Sequence, residues 1–166
     1  YARYFQMGVF FPVMRAHANH QPREPWAFGP DAEAACRKAL LLRYSFASYA
    51  YSYFRRSHED GSPLMRALAF EFPGAELDAV DDQWMYGREV LAAPVLDAGA
   101  RTRRVQLPPG RWTDWWTDKL YDGGQTISIP VDLYSLPVFI RDASLVPTEE
   151  YGDYVGDKNP DHCLVH

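Results

Sequence analysis

Cysteine is scarce in these 166 residues: Cys36 and Cys163 are the only two, and no CxxC spacing is present. That excludes a disulfide framework and a zinc site of the usual spacing. Long apolar runs are missing as well. None approaches the roughly 18 residues a membrane helix requires, so no membrane partner is expected. Basic clusters are missing: the densest, Arg101-Thr102-Arg103-Arg104, alternates like an exposed strand face, and 17 basic against 22 acidic residues leave a net charge of −5. Nucleic acid is therefore not an expected partner. Neither Asn19 nor Asn159 opens an Asn-x-Ser/Thr site, and the first residues show no charged-then-apolar leader. These absences are compatible with a cytoplasmic protein. The chain begins at Tyr1 without Met and stops in Cys163-Leu164-Val165-His166, which reads like the middle of a strand. The expectation is a piece of a longer protein.

Aromatic residues are plentiful, at 15% with five Trp and eleven Tyr. Such rings stack on sugars, and they also fill cores; composition does not choose between the two.

Residues 1–29 read as a short helix end, the apolar run Gly8–Met14 and a polar loop from Ala18 to Gly29. Pro12 sits awkwardly in the run, because proline removes a ladder donor. From Asp31 to Ser57, Ala35, Cys36, Ala39, Leu42, Phe46, Ala50 and Tyr53 recur as one stripe of a long helix. Gly29-Pro30 with Asp31 and Glu33 is a start signal, and Gly61 with Pro63 a stop. A buried free thiol is expected at Cys36. After Pro63 short β-like runs follow: 64–72, 85–95, 103–107, 111–116, 126–131, 136–140 and 144–147. Pro108-Pro109-Gly110 and Asp122-Gly123-Gly124 separate neighbours as hairpin loops do. This texture predicts an antiparallel sandwich, and Trp112, Trp115 and Trp116 within it should include both buried and exposed rings.

Arg15-Ala16-His17 closes the run Gly8–Met14. In an extended chain residues i and i+2 point to one side. The guanidinium forks hydrogen bonds, and the imidazole donates or accepts near neutral pH. The pair suits a polyhydroxylated or anionic small molecule; alone it fits better a strand ending in ordinary surface residues.

Four stretches carry a resemblance: Arg3-Tyr4-Phe5-Gln6-Met7 running through Arg15-Ala16-His17; Arg23-Glu24-Pro25-Trp26-Ala27-Phe28-Gly29; Leu64-Met65-Arg66-Ala67-Leu68 with Glu71-Phe72-Pro73, Asp82-Gln83-Trp84-Met85-Tyr86-Gly87 and Leu91-Ala92-Ala93-Pro94-Val95; and Leu107-Pro108-Pro109-Gly110-Arg111-Trp112 with Leu136-Pro137-Val138-Phe139-Ile140-Arg141. Together they are similar to the C-terminal part of the catalytic region of glycoside hydrolase family 31, the α-glucosidases and α-xylosidases. The resemblance implies a multi-domain α/β plus all-β chain: the last strand (9–17) and helix (31–57) of a (β/α)8 barrel, followed by an antiparallel β-sandwich. The implied boundaries are 1–62 for the barrel end, 63–148 for the proximal sandwich, and 149–166 for the start of a distal β-domain.

The same resemblance implies roles. His17 matches a histidine that hydrogen-bonds sugar hydroxyls in the −1 subsite, and Arg15 an arginine that orients neighbouring carboxylates. The parent would be a retaining exo-α-glycosidase without metal or organic cofactor. Its partners would be an α-glucoside or α-xyloside oligosaccharide and the rest of the parent chain, with a homo-oligomer left open. Both catalytic aspartates are expected upstream of Tyr1. Asp81-Asp82 belongs to a turn by this reading, and Glu149-Glu150 to a solvated exit loop. The rival is a non-catalytic carbohydrate-binding or scaffolding module whose face is the Trp112/Trp115/Trp116 strand.

Overall fold

The computed structural model describes residues 1–150, Tyr154, Asp157 and the strand Cys163–Val165. Three helices come first: α1 (Ala2–Gly8), α2 (Pro30–Ser45) and α3 (Ala47–Asp60), with a 3₁₀ turn at Pro25–Phe28 between α1 and α2. The start of α2 follows the sequence signals, with Pro30 at its first turn and Asp31 and Glu33 beside it. A proline there forfeits no helical hydrogen bond. α3 stops where expected, on Gly61 in the left-handed conformation.

The single helix expected over 31–57 is two. The break is one residue, Phe46, at φ −89° and ψ 9°. Its ring is buried, packing against Phe10, Tyr49 and Trp115 at centroid distances of 6.0, 5.9 and 5.1 Å. The carbonyl that the break frees, Ser45 O, accepts from Glu149 N at 2.9 Å. A helix can be interrupted this cheaply when a buried side chain and an incoming backbone donor replace what the ladder loses.

Ten strands follow in antiparallel pairings: β1 (Met65–Arg66), β2 (Trp84–Tyr86), β3 (Val90–Ala92), β4 (Thr102–Leu107), β5 (Arg111–Asp114), β6 (Leu120–Asp122), β7 (Gln125–Pro130), β8 (Val138–Arg141), β9 (Leu145–Pro147) and β10 (Cys163–Val165). One sheet has the order β1-β2-β3-β8-β5-β6; β4 with β7, and β9 with β10, form two-stranded ribbons. Two expected strands divide. The run 64–72 is β1 followed by a helical turn, α4 (Leu68–Glu71), and the run 85–95 is the tight hairpin β2–β3. Gly87 makes that hairpin possible: its φ is +69°, and a Cβ there would stand 1.9 Å from Tyr49 Oη. β6, between the expected runs, was not anticipated. Of the expected distal segment 149–166, most residues lie outside those described; its described strand, β10, pairs with β9.

The central strands of the six-stranded sheet, β2, β3 and β8, are buried on both faces. Trp84, Tyr86, Val90, Ala92, Val138 and Ile140 point to the helices, where the stripe Ala35, Cys36, Ala39, Leu42, Phe46, Tyr49 and Tyr53 meets them. Met85, Leu91, Trp112 and Phe139 point the other way, onto Val105 and Leu107 of β4 and Ile127 and Ile129 of β7. Strands covered on both sides read as continuous apolar runs, which is why the hairpin in 85–95 was invisible. The sandwich is thus three layers, helices over sheet over ribbon.

Cys36 is a free thiol in the helix–sheet core, and burial pushes its pKa up to about 11. In a Cys163→Ser protein, a thiol reagent at neutral pH should label Cys36 only after denaturation. Rapid labelling of the native protein would show that the helices do not lie on this sheet.

Candidate functional site

The apolar run leading to Arg15 and His17 does not form the expected strand. α1 is followed by tightening turns, with Val9 N on Gln6 O at 3.2 Å and Phe11 N on Gly8 O at 3.0 Å. Residues 14–18 then have no regular structure. No strand among the described residues lies beside this segment to form a ladder; side chains supply the donors instead. Arg43, in the last turn of α2, donates from Nη1 to Val9 O at 2.6 Å and Phe11 O at 2.8 Å, and from Nη2 to Pro12 O at 3.3 Å. Its Nη1 also approaches Gly8 O at 3.4 Å. Trp84 Nε1 donates to the carbonyl in the middle, Phe10 O, at 3.2 Å. Pro12 therefore interrupts nothing, since there is no ladder for its absent N–H to join.

The run is anchored by packing as well. Val9 and Phe10 are buried, Phe11 lies against Trp84 at 5.6 Å, and Met14 folds back over Gly8. Pro12 and Val13 are already exposed, and beyond the half-buried Met14 so are Arg15, Ala16 and His17. The argument that Arg15 and His17 share a side rested on an extended strand and loses that support. Among the described residues no hydrogen bond or ion pair engages either side chain. Both are free to meet a ligand.

His17 lines an open depression of about 490 Å³ formed by residues 16–24, together with Asn19, His20, Arg23 and Glu24. Sequence reading passed over these last four, although Arg23 and Glu24 lie in one of the stretches that carry the resemblance. The loop is pinned at its far end. Tyr1 donates its hydroxyl to Arg23 O, and its ring stacks on Phe28 at 3.8 Å. With Gln21, the rim thus offers two imidazoles, a guanidinium, a carboxylate and two amides. Such a set can hydrogen-bond sugar hydroxyls, but it contains no pair of opposed carboxylates.

The carboxylates singled out elsewhere are held by the fold. Asp82 pairs with Arg103 Nη1 at 2.5 Å, and Arg103 Nη2 donates to Asp82 O at 2.7 Å, which agrees with a structural turn. Glu149 is not the solvated residue expected. It is half-buried on the α2–α3 joint, where its side chain accepts from Ser48 Oγ. The chain leaving β9 is docked there because Ser45 O needs a donor. Glu89, in the β2–β3 turn, accepts from Tyr49 and Tyr53 hydroxyls, each at 2.7 Å. Burial, with Glu89 adding to it, pushes the Tyr49 pKa far up, so this phenol stays a donor.

The three tryptophans divide as the alternation implied. Trp112 is fully buried, with Nε1 donating to Pro108 O at 2.8 Å. Trp115 packs in part against Phe46. Trp116 is 41% exposed, but its Nε1 is fixed to Leu136 O at 2.6 Å and the Lys38 ammonium stands 4.3 Å over its ring. No continuous aromatic face remains on this strand. Among the described residues no three His, Cys, Asp or Glu side chains converge as metal ligands, and no helix is long and apolar enough to cross a membrane.

Comparison with known proteins places this geometry. Residues 1–53 match the glycosyl hydrolases family 31 TIM-barrel domain and residues 61–146 the glycosyl hydrolase family 31 C-terminal domain. The 1,6-alpha-glucosyltransferase of Sporosarcina globispora is 41% identical over 161 residues, 94% of this chain and 12% of that protein. Alpha-glucosidase 2 of Bacillus thermoamyloliquefaciens is 37% identical over 147 residues, 87% of this chain and 19% of that protein. A mutant of the Flavobacterium johnsoniae family 31 dextranase, complexed with isomaltotriose, superimposes with a TM-score of 0.91 at 39% identity, over 95% of this chain and 20% of that one. This chain therefore spans a fifth or less of each of these three proteins. The end of a TIM-barrel domain and the antiparallel β-domain after it, matched in order, make this chain a member of glycosyl hydrolase family 31.

Proposed function

We propose that this chain is the segment of a retaining exo-α-glycosidase that completes the sugar site and supports the barrel. The substrate class is a terminal α-linked glucose or xylose, cleaved by double displacement through a covalent glycosyl-aspartate. The carrying observation is the position of His17. It is exposed and unpartnered three residues beyond the anchored run Gly8–Met14, in the part of the chain that matches the barrel domain. A base held by Arg43 and Trp84 with an unpartnered imidazole beyond it suits a hydroxyl ligand. In this reading Arg15 orients neighbouring carboxylates, and the two catalytic aspartates come from elsewhere in the parent. The domain division 1–62, 63–148 and 149–166 belongs to the same proposal.

His17→Ala in the full-length enzyme should lower kcat/KM on an aryl α-glucoside about 5–150-fold, the worth of roughly 1–3 kcal/mol of lost hydrogen bonding in a water-poor site. Unchanged kinetics would remove His17 from the site.

A second reading concerns the acceptor, because a relative at 41% identity is named a 1,6-alpha-glucosyltransferase. Transfer and hydrolysis share the first displacement and differ in whether a sugar or water attacks the glycosyl-enzyme. Product analysis separates them: free glucose as the main product at high substrate supports hydrolysis, and lengthened oligosaccharides support transfer.

A further inference from the structure

We infer that Arg43 is a positioning residue for the sugar site, holding the base of the loop that presents His17. The inference rests on reading His17 as a sugar ligand and adds how that ligand is held in place. Five consecutive carbonyls, those of residues 8–12, face side-chain donors: four meet Arg43 and the fifth meets Trp84. A terminal guanidinium nitrogen carries two hydrogens. Nη1 therefore spends them on Val9 O at 2.6 Å and Phe11 O at 2.8 Å. Its 3.4 Å approach to Gly8 O is secondary, and that carbonyl already accepts from Phe11 N at 3.0 Å. Nη2 reaches Pro12 O at 3.3 Å. The planar fork spreads along a bent backbone in a way the point charge of lysine cannot copy.

The clamp decides how far His17 can wander. With the run held through Met14, three residues separate His17 from the last anchor, a reach of roughly 10 Å at about 3.5 Å per residue. Were the Arg43 hold on Phe11 O and Pro12 O lost, and the packing of Phe11 and Met14 with it, Phe10 would be the last anchor. Seven residues then give roughly 25 Å, a volume about tenfold larger or more. A ligand group displaced by even about 1 Å can cost a hundredfold in rate. Arg43 thus does for this loop what neighbouring strands do for a ladder-paired one.

The test is a double-mutant cycle in the full-length enzyme that carries this segment, on an aryl α-glucoside, at a temperature where circular dichroism shows every variant folded. Arg43→Lys should lower kcat/KM about tenfold in the otherwise native enzyme and less than about twofold in the His17→Ala background, because a group already removed cannot be misplaced. Amide exchange should quicken at Val13–Ala18 while α2 and α3 keep their protection. Should Arg43→Lys fail to fold, Trp84→Phe removes the donor to Phe10 O and keeps an aromatic ring in the core beside Phe11, and it should show a smaller loss with the same non-additivity. Full activity in Arg43→Lys, or an equal loss in both backgrounds, overturns the positioning role and leaves His17 in the site. A silent His17→Ala single variant overturns the sugar-site reading itself, and this inference with it.

Discussion

A Trp112→Ala variant is expected to lose about 3–5 kcal/mol of stability, the usual cost of truncating a large aromatic inside a core. Trp112 is completely buried between the six-stranded sheet and the β4–β7 ribbon. Phe72 meets its ring edge-on at 6.1 Å, and Val105, Leu107 and Phe139 share its cluster. Two losses add. The vacated indole leaves a cavity between the sheet and the ribbon, and Pro108 O, on a buried residue, loses its 2.8 Å donor and keeps only Gly124 N at 3.2 Å. The lost hydrogen bond itself contributes about 0.5–1.5 kcal/mol. Denaturant titration should show a lower midpoint with an unchanged slope, and oligosaccharide affinity should be unaltered. A variant that unfolds like the parent but binds oligosaccharide more weakly would instead favour the carbohydrate-binding-module reading.

What the sequence disclosed depended on the range of the interactions involved. Helix starts and stops were readable because Gly29-Pro30, Asp31, Glu33 and Gly61 act within a turn of their own position. β4, β5, β7 and β8 were readable because loop residues bracket them. The break at Phe46 was not, since the apolar stripe passes through it without losing period and the cause is a ring packed against Phe10 and Trp115. Nor was the true state of the run 8–14. Its composition is that of a strand, and what replaces the ladder is an arginine at least 31 residues downstream and a tryptophan 74 residues downstream. No local pattern marks such donors. β6 is three residues long and exposed at both ends, so neither periodicity nor an apolar run announced it. At the candidate site the pair Arg15 and His17 was legible as a motif, and its role came from the resemblance. The device that holds it, Arg43 with Trp84, became visible only when the carbonyls of residues 8–12 were each traced to a donor.

The polypeptide of residues 1–166, produced alone, is expected to show no turnover of a chromogenic α-glucoside. Retaining glycosidases need two carboxyl groups about 5–5.5 Å apart, one to attack the anomeric carbon and one to protonate the leaving oxygen. Each candidate here has another engagement or neighbour. Asp82 is tied to Arg103, Glu149 to Ser48, and Glu89 to the Tyr49 and Tyr53 hydroxyls. Asp81, beside Asp82 in the chain, would point in a divergent direction if extended. His17 with Glu24 on the loop rim supplies a hydrogen-bonding surface but no second carboxylate facing the first. An isolated helix would bare the stripe through Ala39, Phe46 and Tyr53. The structure instead buries those residues against Trp84, Tyr86, Val90 and Ile140, so the inactivity is expected of a cooperatively melting protein and not of an aggregate. The assay is run beside a heat-killed control, with thermal unfolding followed on the same sample. Turnover above that control would place both a nucleophile and an acid among these residues and overturn the assignment of the catalytic pair to the rest of the parent.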